Sequence, residues 1–397
     1  MTNVLNLIAG EWVGEAATER RNPARPDEVV ATAPASTAHD VEEAVAAAAT
    51  AQRGWAALSP VQRGSVLLDA ADLLRQRIEQ VATDLVREEG KTLAEATGEV
   101  RRAVDILRFF GAGGWRPTGE SLPSAFPSTT VLTRNEPLGV VGLVTPWNFP
   151  IAIPAWKAAP ALIAGNSVVL KPAELTPLAV THLARALAEA GLPAGVLNVV
   201  HGPGSTVGDA LVRHPDVAGI SFTGSTTVGR QIQDVVNGRR ARVQLEMGGK
   251  NAYLVLDDAD AEAAAAVVGA SAFSLTGQAC TATSRVYVTP GIRETFLKLL
   301  RERARAVRPG DGLDPQTTMG AVVSQEQLAK DVSAIHAAAS AGFDPGDPLT
   351  DPAGQVLSPV VFSGVDHDAP LARQEVFGPV VAGVDVEDYE DGLAKVN

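Results

Sequence analysis

The sequence predicts an α/β protein: a parallel sheet covered by helices on both faces, followed by a second α/β lobe. Three observations carry this expectation. Apolar, β-branched runs at 140–144, 167–170, 196–200, 217–222 and 243–245 alternate with helical stretches near 151–164, 177–190, 206–213 and 226–236. Strands without polar alternation, separated by helices, are what a sheet buried on both sides requires. A second alternation follows, with strands at 285–288, 356–362 and 380–384 and helices at 293–306 and 324–341. The third observation is positional. Each strand of the first series runs into a polar or glycine-rich group, beginning at Thr145, Lys171, His201, Thr223 and Glu246. Open α/β sheets bind ligands outside the carboxyl ends of their strands, so five such groups mark one edge as a site.

Ahead of the first alternation, residues 7–13 read as a small hairpin around Ala9-Gly10, and 21–34 as an extended, Pro-punctuated segment. Helices then run to about residue 110. Asp40 and Glu43 mark one N-terminus by their charge near the positive end of the dipole, and Ser59-Pro60 marks the next. Gly90 interrupts before helical spacing resumes at 92–110. Residues 111–135 change to Gly, Pro, Ser and Thr, an excursion from the helical layer. Thr176, Pro177 and Gly191 punctuate the helix at 177–190 as cap, first turn and stop.

Composition narrows the function. With 46% hydrophobic and 20% charged residues over 397 positions, large cores are available. A net charge of −13 offers no electrostatic footprint for nucleic acid or an anionic membrane. The N-terminus has no signal-peptide pattern, no apolar run reaches spanning length, and the single cysteine excludes an intrachain disulfide. A cytoplasmic protein is expected. No Cys/His spacing suited to a metal occurs.

That one cysteine, Cys280, sits among the small residues Gly277, Ala279 and Ala282, which leave its sulfur approachable. A lone cysteine is ordinarily an inert, buried hydrophobe, but the partners of a nucleophile are present. A thiolate attacking a carbonyl creates an oxyanion, which the side-chain amide of Asn148 and the Cys280 N–H can stabilise. Glu246 can activate water if burial lifts its pKa. Elsewhere, Gly224-Ser225-Thr226-Thr227-Val228-Gly229 follows a strand and opens a helix, so its free N–H groups suit a phosphate. Gly202-Pro203-Gly204, followed by Gly208, is one residue longer than the dinucleotide fingerprint. Lys171 directs an ammonium at the same edge, and Glu174 can accept from ribose hydroxyls.

Six motifs in register resemble the aldehyde dehydrogenase superfamily: Thr145-Pro146-Trp147-Asn148-Phe149-Pro150, Lys171-Pro172-Ala173-Glu174, Phe222-Thr223-Gly224-Ser225, Leu245-Glu246-Met247-Gly248-Gly249-Lys250-Asn251, Gly277-Gln278-Ala279-Cys280 and Glu375-Val376-Phe377-Gly378-Pro379. The resemblance implies a Rossmann-like dinucleotide-binding domain (1–117 and 138–245), a bridging β-hairpin (118–137) and a catalytic domain (246–397). It implies oxidation of an aldehyde to a carboxylate with NAD, NADP being the alternative cofactor. Cys280 forms a thiohemiacetal, Asn148 holds the oxyanion, Glu246 activates the water that hydrolyses the thioester, and Lys171 belongs to the same catalytic group. Lys171 and Glu375 hold ribose, while Thr145, Pro146, Trp147, Ala173, Glu174, Gly204, Gly208, Phe222, Gly224, Ser225, Val228 and Phe377 complete the cofactor site. Glu174 resembles that of NAD-preferring members, because a 2′-phosphate would meet its charge.

Homodimers or homotetramers are the family pattern, and CoA-acylating relatives lack a Glu at the position of Glu246. Family chains continue past the place of Asn397. The catalytic domain is therefore expected to be incomplete, and a catalytically impaired nucleotide-binding remnant is the alternative reading. The stretch from Trp115 to Pro123 resembles members acting on 2,5-dioxopentanoate, also called α-ketoglutaric semialdehyde.

Overall fold

Short strands and capped helices occupy the first third of the chain. The computed structural model describes residues 1–116 and 118–397; Pro117, the last residue of the expected first segment, lies outside them. β1 (Thr2–Asn3), β2 (Asn6–Ile8), β3 (Glu11–Val13), β4 (Thr18–Arg21) and β5 (Val29–Ala33) come first. The β2–β3 hairpin turns through Ala9 and Gly10, both left-handed, at φ 54° and 88°. Four helices follow, α1 (Ala38–Ala57), α2 (Pro60–Gln76), α3 (Ile78–Glu89) and α4 (Leu93–Gly111). α1 starts earlier than Asp40. Thr37 is its cap, and Asp40 closes a capping box by accepting the Thr37 N–H at 2.8 Å. Ser59 caps α2 in the same reciprocal way with Gln62.

The segment 118–137 contains β6 (Ser121–Pro123) paired antiparallel with β7 (Thr130–Leu132), every residue of both strands exposed. Beyond it the expected alternation is found as β8 (Val140–Val144), α5 (Ala152–Ile163), β9 (Ser167–Lys171), α6 (Pro177–Glu189), β10 (Leu197–Val199), α7 (Asp209–Arg213), β11 (Val217–Gly224), α8 (Thr226–Gly238) and β12 (Arg242–Met247). Two local expectations change. Thr176 makes no cap hydrogen bond to α6, and its buried hydroxyl has no partner. The helix expected from 206 begins at Gly204, as a π-turn through Gly208 that leads into α7.

The sheet order is β12-β11-β8-β9-β10-β2-β3. β8 to β12 are parallel neighbours, and the N-terminal hairpin joins the edge through the antiparallel pair Val199↔Leu7. From β8 the chain winds outward through β9 and β10, then crosses back to β11 and β12. That reversal beside β8 is the switch point at which such sheets open a crevice. Val169, Val200, Ile220 and Phe222 pack with Val41, Val45 and Val236 in a core that anchors the strands. Each such side chain contributes about 1.5–3 kcal/mol on burial.

The second α/β lobe comprises β13 (Ala252–Val255), α9 (Ala261–Phe273), β14 (Arg285–Val288), α10 (Arg293–Ala306), α11 (Gln325–Ser340), β15 (Val360–Phe362), α12 (Pro370–Arg373), β16 (Val380–Asp385) and α13 (Tyr389–Val396). β15 starts later than expected because Pro359 has no N–H for the ladder. Its sheet, β13-β14-β16-β15, is wholly parallel. Strand alternation sends Val286, Val288 and Val381 to a core with α9 and α10. It sends Tyr287, Val380 and Ala382 to another with α11.

By backbone contacts the chain forms two compact units, one of residues 1–20, 29–85 and 97–247, the other of 21–28, 86–96 and 248–397. Segments 21–28 and 86–96, which the domain expectation kept within 1–117, group with the second unit. An Arg25–Asp311 ion pair at 2.7 Å and the Leu93 N–H to Gly312 carbonyl bond at 3.0 Å hold them there.

In the first unit the buried Trp55 indole donates to the Leu162 carbonyl at 2.8 Å. W55F is expected to remove that bond while the Leu162 carbonyl keeps the Gly165 N–H at 3.0 Å, and to cost about 0.5–1.5 kcal/mol, read as a lowered midpoint in denaturant titration.

Candidate active-site residues

The parallel strands of the first unit deliver their carboxyl ends to one edge. After β8 stand Thr145 and Asn148, both buried, with Pro146 and Trp147 half-buried between them. The Thr145 N–H donates to the Lys171 carbonyl at 3.2 Å, but its buried hydroxyl has no hydrogen-bond partner. Lys171 closes β9. Its ammonium donates to the Pro172 carbonyl at 2.8 Å; burial holds it below the ordinary lysine range, opposed by Glu174. Past β10, His201 is sealed, and its pKa is pushed down to about 3 by burial and then by Lys171. Its Nε2 has no partner.

Glu174 is exposed and already accepts the Gly204 N–H at 3.1 Å, so one carboxylate oxygen is committed to the glycine loop. Ala173 beside it is half-buried. Space is open where a Gly204 Cβ would stand, and Gly208 backs onto the Lys171 side chain. At the start of α8 the Ser225 hydroxyl accepts the Val228 N–H at 3.4 Å, which removes one donor from the set expected to be free. Phe222 points inward. Its side chain is buried in the core, and its ring fills the space beneath Gly224, 2.6 Å from where a Cβ would stand. Val228 is exposed.

Glu246 lies at the end of β12. The burial on which its role as base was conditional is not found, because the residue is exposed. It is tied instead into a polar chain that the sequence did not reveal. Gln244 Nε2 donates to Glu246 Oε1 at 2.9 Å, and Lys157 Nζ donates to Gln244 Oε1 at 3.2 Å and to Ser221 Oγ at 2.7 Å. Burial pushes Lys157 down to about 8, with Glu246 acting against that fall. Gln244 and Glu246 share a strand face by their spacing, which the sequence contained. Ser221 reaches them only through the parallel register Ser221↔Gln244, which it did not.

In the second unit Cys280 is exposed. The turn before it, Ser274–Gly277, places Leu275, Thr276 and Gly277 successively in the left-handed region, at φ 51°, 57° and 68°. For Leu and Thr that conformation costs roughly 1–2 kcal/mol each, and such strain concentrates at functional positions. Named hydrogen bonds hold it. The Leu275 N–H donates to Glu95 Oε1 at 2.7 Å, Thr276 Oγ1 to the Gly320 carbonyl at 2.9 Å, and the Gln278 N–H to the Leu275 carbonyl at 2.9 Å. Gln278 Oε1 accepts the Val323 N–H at 2.9 Å, and Asn251 Nδ2 donates to the carbonyls of Cys280 and Ala282. The backbone around Cys280 is thereby fixed while the residue stays exposed.

Glu375 and Phe377 also belong to this unit. Glu375 lies against Gly248, where a Cβ would overlap its carboxyl, and Oε1 accepts the Gly249 N–H at 3.4 Å. Desolvation raises its pKa, against the Gly249 N–H and the Lys250 charge. Phe377 is left-handed at φ 65°. Thus Asn148, Lys171, Glu174 and Glu246 fall in the first unit with the glycine loop, and Cys280, Glu375 and Phe377 fall in the second. Among the described residues no cluster of three or more His, Cys, Asp or Glu suits a metal, and no helix is long and apolar enough to cross a membrane.

The fold is that of a nucleotide-binding α/β enzyme. Residues 12–397 match the model of the aldehyde dehydrogenase family, and the chain belongs to that family. It is 44% identical to the alpha-ketoglutaric semialdehyde dehydrogenase of Bacillus subtilis over 99% of this chain and 82% of that one. An NAD-dependent aldehyde dehydrogenase structure from Sinorhizobium meliloti superposes with a TM-score of 0.96 at 35% identity, over 100% of this chain and 80% of that one. An NADP-dependent E. coli enzyme gives 0.96 at 34% identity, over 100% and 83%.

A Cβ at Gly277 would overlap the Gly378 carbonyl oxygen and occupy a left-handed φ. G277A is expected to displace the turn and slow alkylation of Cys280, the only thiol, by about tenfold or more, roughly 1.4 kcal/mol. Iodoacetamide labelling followed by mass spectrometry measures it.

Proposed function

We propose that this protein oxidises an aldehyde to a carboxylic acid with NAD(P)+ through a covalent intermediate on Cys280. The observation that carries the reading is the exposed thiol on a strained, hydrogen-bonded turn. Cys280 attacks the aldehyde carbon as a thiolate and forms a thiohemiacetal. The Asn148 amide and the Cys280 N–H stabilise its oxyanion. NAD(P)+, when bound, supplies the acceptor for the hydride that leaves this carbon. Glu246 takes a proton from the water that then hydrolyses the thioester and frees the carboxylate. Gln244 Nε2 steadies the Glu246 carboxylate by donating to it, and the half-buried Lys157 ammonium behind Gln244 places a positive charge near it.

The edge of the first unit suits a dinucleotide. The Thr145 hydroxyl and His201 Nε2 are buried without partners, and the space beside Gly204 is open. Thr145, Lys171, Gly204, Gly208 and the start of α8 at Gly224-Ser225 are the groups that would hold it, with Pro146, Trp147 and Ala173 as flanking surface. For Glu375 and Phe377 we infer from the family resemblance a part in holding ribose. Glu174, carrying a negative charge where a 2′-phosphate would come, favours NAD over NADP. The substrate we infer from the similarity to the B. subtilis enzyme is α-ketoglutaric semialdehyde. A cytoplasmic location suits an exposed nucleophilic thiol. The hairpin of β6 and β7, with Phe126 75% and Leu132 72% exposed, is the surface we assign to homo-oligomer formation.

The test is NADH formation from α-ketoglutaric semialdehyde by purified protein. C280A is expected to abolish it. E246Q is expected to keep a single burst of NADH and to slow turnover by about a hundredfold or more. Retained turnover in C280A would overturn the thiol mechanism. In K157M the change of kcat through pH 8 is expected to disappear, because the half-buried amine loses at about 8 the charge that faces Glu246. A pH–rate profile measures this, and an unchanged profile would deny Lys157 a part in the action of Glu246.

A further inference from the structure

Behind the turn that carries Cys280, the second unit contains a sealed carboxyl. Gly277 abuts the Gly378 carbonyl, and Gly378 in turn backs onto Asp331 of α11, with a Cβ there standing 2.5 Å from the Asp331 carboxyl carbon. No methyl group fits at either contact. Asp331 is 0% exposed. Its Oδ1 accepts from Gln327 Nε2 at 2.8 Å, and the same Nε2 donates to the Val376 carbonyl at 3.0 Å. One amide therefore links the buried carboxyl to the backbone of the segment that carries Glu375. Oδ2, against Gly378, has no hydrogen-bond partner.

No cation is committed to Asp331. Lys330, next to it on α11, is exposed and pairs with Glu326 at 2.7 Å. On α12, Arg373 lies 3.4 Å from Asp368 and 3.0 Å from His367 Nε2. In the 374–379 segment Glu375 is turned to Gly248 and Gly249. On the Gly277 side Gln278 is occupied by Val323 and Leu275. From β16 the neighbours in this core are Val380, Ala382 and Val384. A carboxylate sealed in such surroundings is costly unless it is neutralised by a proton.

We propose that Asp331 is a positioning residue which, as a neutral carboxylic acid, seats the 376–378 backbone and so orients Glu375 for the cofactor. This rests on the ribose role proposed for Glu375. Ionisation leaves a sealed charge against Gly378 and loosens the seat. Burial pushes the Asp331 pKa up to about 8, Gln327 and Lys330 acting against the rise.

The consequence has a definite sign. The native state keeps a proton that the unfolded chain loses near pH 4, so stability falls as pH rises from about 4 to about 8 and is level above that. D331N keeps the acceptor for Gln327 and removes the titration. In cofactor-free full-length protein, the Tm of D331N minus that of the wild type is expected to grow by at least roughly 2 °C between about pH 5 and pH 8.5. The KM for NAD+ is expected to rise severalfold on the alkaline side in the wild type and to stay flat in D331N. D331L, which also lacks the titrating group, serves if the asparagine variant does not fold. Parallel Tm curves, or the same alkaline rise of KM in wild type and variant, overturn the proposal. E375Q separates the two readings. If it leaves the KM for NAD+ unchanged, the ribose role fails, and the cofactor-free Tm curves still decide the fate of the buried seat.

Discussion

Leu275, Thr276 and Gly277 are held left-handed by hydrogen bonds that leave the turn no relaxed alternative, and the reactive geometry of the second unit depends on that constraint. Relaxing the turn would break the bonds to Glu95 and Gly320 and drive Gly277 away from Gly378. The cost of the conformation is spread over many partners, several of them backbone carbonyls that would otherwise face a packed interior. Local strain of this kind persists only where the surroundings over-determine it. The glycine at 277 serves two needs together, a positive φ and the absence of a Cβ at a carbonyl.

The first unit solves a different problem. Its edge gathers cations and polar atoms that a purely structural protein would hydrate or pair. Lys157 and Lys171 both lie below the ordinary lysine range through burial, and His201 is neutral at physiological pH. Holding such groups out of water costs stability, and the apolar packing of β8 to β11 with α1 offsets it. Two polar atoms among them, the Thr145 hydroxyl and His201 Nε2, stay buried without a hydrogen-bond partner.

Much of this was legible in the chain because its signals were local. β8 and β14 fall on the residues that apolar β-branched runs marked, and Ser59-Pro60 opens α2 as its capping chemistry requires. What escaped depends on pairing between distant segments. Nothing in Leu7 announces that it will sit opposite Val199, and nothing in Lys157 announces a bond to Gln244. The role of Glu246 was conditional on burial, and that condition is not met, because β12 is the outermost strand on its side of the sheet and leaves the carboxylate exposed. Phe222 stood within a recognisable motif, but strand alternation turned its ring into the core. The motif identified the segment, and the pleat decided which of its side chains turn into the core.

The exposure of Cys280 has a chemical consequence apart from catalysis. A thiolate kept accessible is also open to peroxide, which converts it to a sulfenic acid. Proteins that tolerate this step usually hold a second cysteine nearby, and condensation to a disulfide then protects the sulfur from irreversible oxidation. These 397 residues contain no second cysteine. Recovery of an oxidised Cys280 must therefore come from a thiol outside this sequence, such as a small thiol able to reach the turn. The openness that admits a substrate thus makes the redox state of its surroundings a condition of the protein's working life.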